Sequence, residues 1–120
     1  MRIYVDTSVI NGLFCQDTMI QAATKYFFSS VKFEHHTLYA SDLVIDEIRN
    51  TPDEDLRRSL LEVVEENEIS ISTLSKEVRE TARRYVTEKI IPRRYIADAL
   101  HIAVASLHHI PVLVSWNFEL

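Results

Sequence analysis

The chain has 120 residues, 47% of them hydrophobic and 26% charged, with a formal net charge of −5. That length leaves room for one core, so a single globular domain over residues 1–120 is expected, in ordinary soluble proportions. No apolar run approaches the ~20 residues of a membrane span, and no basic leader precedes a long apolar stretch. The lone cysteine, Cys15, excludes an internal disulfide and fits a reducing, cytoplasmic setting, where it reads as a small buried hydrophobe. The acidic balance argues against generic attraction to nucleic acid, which needs Lys and Arg to neutralise phosphate.

Arg2-Ile3-Tyr4-Val5 is β-branched and aromatic, breaks at Asp6-Thr7-Ser8 and resumes as Val9-Ile10. The pattern is strand, turn, helix start. Asp6 therefore stands at the carboxyl end of a strand, where open α/β sheets carry their ligand crevice. A plain helix cap is the structural alternative. Over residues 9–30 apolar side chains including Ile20, Ala23, Tyr26 and Phe27 recur at helical intervals. Gly12 and Gln16-Asp17-Thr18 suggest a break into two helices, with Asp17 or Thr18 capping the second.

Leu38-Tyr39-Ala40 reads as a second strand, and Ser41-Asp42 opens a helix over residues 43–48. Glu47 lies three and four residues from Val44 and Leu43, on the apolar face, whereas Asp46 follows Asp42 around the wetter side. Glu47 is thus expected to point inward, either into a site or into an ion pair with an arginine. Beyond Pro52, Leu56, Leu60, Leu61, Val63 and Val64 make an amphipathic helix with an acidic outer face. Ile69-Ser70-Ile71-Ser72 alternates as a third strand.

Ser75 caps a helix running to about Lys89 with Val78, Ala82, Tyr85 and Val86 inward, closed by Ile90-Ile91-Pro92. Arg83, Arg84, Lys89, Arg93 and Arg94 face only Glu88 in this stretch. Such a run is either a solvated helix face or a rim that steers a phosphate backbone. Residues 95–105 form a helix with almost no polar side, as expected for one packed on a sheet. Asp98, in its first turn and on a stripe with Ile102 and Ala105, is either a cap or a functional carboxylate favoured by the helix dipole. Residues 112–115 read as a buried fourth strand, which Trp116-Asn117-Phe118 leaves as Asp6 leaves the first. Tyr95 and Trp116 could stack a base or serve packing alone. The five histidines lack zinc spacing, and His101 reads as structural.

Four strands alternating with helices give βαβ units and a parallel sheet. Asp6, Glu47, Asp98 and Asn117 could then meet at one edge. Three carboxylates and an amide in one crevice repel one another without a cation, and their oxygens suit Mg2+ or Mn2+.

The stretches Tyr4-Val5-Asp6-Thr7-Ser8-Val9-Ile10, Ser41-Asp42-Leu43-Val44-Ile45-Asp46-Glu47-Ile48, Ala97-Asp98-Ala99-Leu100-His101-Ile102-Ala103 and Val114-Ser115-Trp116-Asn117-Phe118 occur in that order. Together they make the sequence resemble PIN-domain ribonucleases, of the kind found as VapC-like toxins of toxin–antitoxin pairs. The resemblance covers nearly the whole chain. It implies a three-layer α/β/α fold around a central parallel sheet of about four strands, and Mg2+-dependent hydrolysis of RNA phosphodiesters. It makes Asp6, Glu47 and Asp98 the catalytic, metal-binding carboxylates, with Thr7, Ser8 and Asn117 in support. An antitoxin protein is the implied partner, and a homodimer is open.

Two departures from the family stand out. Asn117 occupies a position where many relatives carry Asp, which favours one cation over two. The sequence also stops at Leu120, where the family usually continues, so either the C-terminus is shortened or a partner supplies the missing edge. Two other classes compete. One is a non-catalytic PIN-like binding module. The other is a haloacid dehalogenase-like or receiver-like phosphate-handling domain, although the dehalogenase type carries a second Asp two residues on, where this chain has Ser8.

Overall fold

The computed structural model describes residues 1–117. Phe118, the last residue of the fourth motif, lies outside the described residues. Among the described residues four strands, β1 (Arg2–Val5), β2 (Thr37–Ser41), β3 (Ser70–Ser72) and β4 (Val112–Val114), form one parallel sheet in the order β3-β2-β1-β4. Six helices join them: α1 (Thr7–Gly12), α2 (Thr18–Phe33), α3 (Asp42–Arg49), α4 (Glu54–Glu66), α5 (Lys76–Thr87) and α6 (Ile96–Leu107). The expected parallel α/β architecture is present.

The two-residue period of β1 divides the interior. Ile3 and Val5 join a core with Val9, Ile10, Val44, Ile48 and Leu60 from α1, α3 and α4. Tyr4 faces the other way, into a second core with Val78, Ala82, Ala99, Ala103 and Val104 from α5 and α6. The sheet is thus covered on both faces, giving the three layers. After β3 the chain returns past β2 and β1 to place β4 on the far side of β1. β1 leads directly to β2 on one side, while its other neighbour β4 is reached only after β3, so the carboxyl ends of β1 and β4 flank the switch point where ligands bind in such sheets.

Four helix ends, those of α2, α4, α5 and α6, are closed without glycine. His35, Glu68, Lys89 and His109 all take positive φ, between 51° and 61°, and each follows the last residues of a helix. In every case the next amide reaches back to a carbonyl in the last turn: His36 to Val31, Ile69 to Val64, Ile90 to Tyr85 and Ile110 to Ala105. These are Schellman closures, which cap the orphan carbonyls and turn the chain out of the helix. A non-glycine residue costs about 1 kcal/mol in this left-handed conformation. The chain has a single glycine, Gly12, and it is used elsewhere.

Several boundaries differ from the sequence expectation for local reasons. Ile69 belongs to the closure of α4, so β3 begins at Ser70. A 3-10 turn over Arg93–Tyr95 precedes α6, which starts at Ile96. The fourth strand, expected as buried, is only half-buried because β4 lies at a sheet edge. It ends at Val114, leaving Ser115 beyond the ladder. Cys15, expected in the core, is half-buried instead.

Candidate active site

Asp6 terminates β1 and caps α1, with Val9 N–H donating to its Oδ1 at 3.3 Å. The capping alternative is therefore realised, but it uses only part of the carboxylate. Ser8 Oγ donates to the same Oδ1 at 2.6 Å, and Ser115 Oγ donates to Oδ2. Each serine accepts in turn from the backbone leaving β4: Trp116 N–H to Ser8 Oγ and Asn117 N–H to Ser115 Oγ, both at 2.9 Å. Asp6 is 3% exposed and rigidly held. Three donors thus meet its two carboxylate oxygens.

Glu47 was expected to point inward. Its side chain is instead 40% exposed, because Val44 and Ile48 take the buried face of α3 and leave the carboxylate at the rim. Its ionisable partner among the described residues is a histidine, not an arginine. His101 Nε2 stands 3.5 Å from Glu47 Oε1, beyond ordinary hydrogen-bond length. The buried His101 ring bonds through Nδ1 to Tyr4 Oη at 2.7 Å, and Tyr4 Oη also meets Ser41 Oγ at 2.9 Å. Burial pushes the Tyr4 phenol well above its ordinary pKa, its bond to Ser41 opposes this, and the charges of Asp6 and Glu47 add to the rise.

Asp98 lies in the first turn of α6 and is half-buried. Burial raises its pKa, the neighbouring His101 opposes the rise, and Asp6 and Glu47 reinforce it. The three carboxylates thus act on one another's surroundings. Among the described residues, however, no three acidic, histidine or cysteine side chains form a ready-made metal cluster. A cleft of about 530 Å³ is lined by Thr7, Ser8, Glu47 and Asn117 among others, while neither Asp6 nor Asp98 lines it. Cys15 and Trp116 also line it.

The donor chemistry suits a hard cation. Every candidate ligand is an oxygen, the acids crowd one another electrostatically, and Thr7 Oγ1 is buried without a hydrogen-bond partner among the described residues. Mg2+ keeps several waters and takes only one or two carboxylates directly, so a compact triad is not required. Asp6 and Asp98 could supply those two.

Arg83, Arg84, Lys89, Arg93 and Arg94 are all exposed on the end of α5 and the turn before α6. Arg84 lies 3.6 Å from Glu88, and the Arg94 guanidinium sits 4.9 Å from the Tyr95 ring centroid. Trp116 is 47% exposed, with its indole N–H fixed to Thr24 Oγ1 at 3.0 Å.

Sequence reasoning did not single out Ser115, Ser41 or Tyr4, and it gave His101 only a structural part. A histidine in an otherwise apolar helix and a tyrosine in a buried strand were the available signals, since buried polar groups need partners.

A three-layer fold with an acidic switch point at its first strand defines a class, and the family profile of the PIN domain matches residues 3–117. The chain belongs to the PIN domain family. Its structure is similar to that of VapC20 from Mycobacterium tuberculosis, described as a sarcin-ricin loop cleaving toxin. The identity is 15% and the TM-score 0.77, covering 98% of this chain and 91% of that one. It is also similar to VapBC2 from Rickettsia felis, solved bound to a DNA fragment from its promoter. There the identity is 14% and the TM-score 0.65, with 98% of this chain and 100% of that one covered. No curated protein matches in sequence.

Proposed function

We propose that the chain is a metal-dependent endoribonuclease, the toxin of a toxin–antitoxin pair, acting at the carboxyl end of β1. The observation that carries this reading is Asp6, buried at the switch point and fixed by two serines; its charge adds to the rise that burial gives the Asp98 pKa. Family membership and the likeness to VapC20 support it.

Asp6 and Asp98 would hold one Mg2+ or Mn2+, with Asn117 supplying a neutral oxygen in place of a fourth charge. When bound, the cation supplies charge neutralisation at the phosphate and a water of lowered pKa. Ser8 and Ser115 keep Asp6 from turning as the substrate binds. Glu47, at the cleft edge, orients the attacking water and accepts its proton. Water then adds to phosphorus in line with the departing ribose oxygen, one P–O bond breaks, and the leaving oxygen takes a proton from solvent, to which Glu47 returns the one it accepted. Arg83, Arg84, Lys89, Arg93 and Arg94 steer the RNA backbone toward Asp98, and the exposed Trp116 face is available to a base.

An antitoxin is the partner this reading requires, and the likeness to VapBC2 supports it. Met19, Tyr26 and Phe33, seven residues apart on α2, are 81%, 76% and 86% exposed. This apolar stripe suits an amphipathic helix of such a partner.

A competing reading is a binding module that keeps the fold without the chemistry, favoured by the lack of a ready-made acidic cluster among the described residues. Incubation with a mixed single-stranded RNA pool separates the two. The nuclease cuts with Mg2+ or Mn2+, stops with chelator, and is inactive as Asp98→Asn. A binding module leaves the pool intact under all conditions.

A further inference from the structure

Ser41, Tyr4 and His101 form a buried polar chain that ends at Glu47, and the reaction above makes no use of it. Ser41 and Tyr4 are 0% exposed and His101 3%. A polar chain at that depth is stable only when each member is satisfied, so its protons can be assigned by counting.

Ser41 occupies the N-cap of α3 yet makes no side-chain cap bond. Its hydroxyl goes to Tyr4 instead, forgoing the usual role of a serine at that position. Tyr4 Oη has one proton to give and two neighbours, Ser41 Oγ and His101 Nδ1. If that proton went to Ser41, a neutral His101 would carry its own on Nδ1. Nε2 would then present a bare lone pair to the Glu47 carboxylate 3.5 Å away, acceptor against acceptor. If the proton goes to Nδ1, Ser41 donates to Tyr4, and the Nε2–H faces Glu47. Only this second arrangement leaves no opposed acceptors with a neutral ring.

We propose that Ser41, Tyr4 and His101 are a positioning relay: Ser41 donates to Tyr4, Tyr4 donates to His101 Nδ1, and the resulting Nε2–H orients the Glu47 carboxylate at the cleft. The 3.5 Å approach shortens to a hydrogen bond when the site is loaded, as such contacts commonly do. The use of this relay rests on the ribonuclease reading, whereas its proton arrangement does not. Outer-shell histidine contacts of this kind are worth about 10- to 100-fold in metal affinity or activity.

The direct test is the ring nitrogen spectrum of the full chain with 15N-labelled histidine, at neutral pH without divalent ions. The relay predicts a protonated Nε2 and a bare Nδ1 on His101, and a mixture of tautomers in Tyr4→Phe. A protonated Nδ1, in a neutral ring or an imidazolium, overturns it. The second arm is kcat for cleavage of the RNA pool, since Glu47 acts on the attacking water. His101→Gln puts an amide N–H near the place of Nε2 and keeps kcat near wild type, while His101→Asn, with its amide at the place of Nδ1, loses about 10- to 100-fold. Equal losses in two folded variants would reduce His101 to packing and overturn the relay. The expected tautomer without RNA cleavage would defeat the ribonuclease reading alone, and cleavage with the wrong tautomer would defeat the relay alone.

Discussion

Ser115 donates its hydroxyl proton to Asp6, joining residues 109 apart in sequence and fixing the loop after β4 to the end of β1. Hydrogen bonds to charged groups contribute about 1.5–3 kcal/mol. Ser115→Ala should therefore destabilise the fold by about 1–2 kcal/mol, since the site is only partly buried and water can replace some of the loss. Urea unfolding measures it. An unchanged midpoint would mean that Asp6 does not depend on this donor.

The same loop is packed through Gly12. A β-carbon there would lie 2.5 Å from Thr24 Oγ1 and 3.1 Å from Trp116 Nε1. Thr24 cannot yield easily, because it is buried and its hydroxyl donates to Ile20 O at 2.6 Å. Gly12→Ala gains about 1 kcal/mol of helix propensity, yet overpacking of this kind costs about 1–3 kcal/mol. The net expectation is a less stable protein with Trp116 displaced. Trp116 is the sole tryptophan, so a shifted emission maximum and a lower unfolding midpoint report both effects.

Asp98 predicts a pH dependence with a definite sign. Its folded pKa is raised by burial and by Asp6 and Glu47, against the opposing His101. Between the ordinary Asp value of 3.8 and the raised folded value, the folded chain holds a proton that the unfolded chain has released. Stability from this group is therefore full below 3.8 and falls as pH rises through the folded pKa. Asp98→Asn removes the penalty. Without divalent ions it should raise Tm at pH 7 and lose that advantage in acid below the window. Saturating Mg2+ should stabilise the wild type and not the variant.

Much of this arrangement was legible in sequence because it is local. The β-branched run of Arg2–Val5, the acidic turn after it and the apolar helix carrying Asp98 each follow from neighbours within a turn. Long-range pairing was not legible. The Ser115–Asp6 and His101–Tyr4 bonds span 109 and 97 residues, and no periodicity encodes them. Glu47 was misjudged inward because helical spacing gives a face but not how far the neighbouring elements cover it. The edge position of β4 depends on a sheet order that its apolar sequence does not reveal.

The basic residues before Asp98 should act on binding rather than on chemistry. Arg93→Gln and Arg94→Gln are expected to raise KM for RNA with little change in kcat. Each should flatten the log–log salt dependence of RNA binding by about 0.7 for a lost single-strand phosphate contact. An unchanged salt slope would assign these arginines to a merely solvated face.

In the proposed reaction Asp6 and Asp98 together hold a divalent ion. Mn2+ binding to the intact chain, followed by electron paramagnetic resonance, tests it without reference to any substrate. One ion bound per chain is expected, lost in Asp6→Asn and in Asp98→Asn while both variants remain folded. A wild type that binds no Mn2+, or variants that bind it as well as the wild type does, would contradict it.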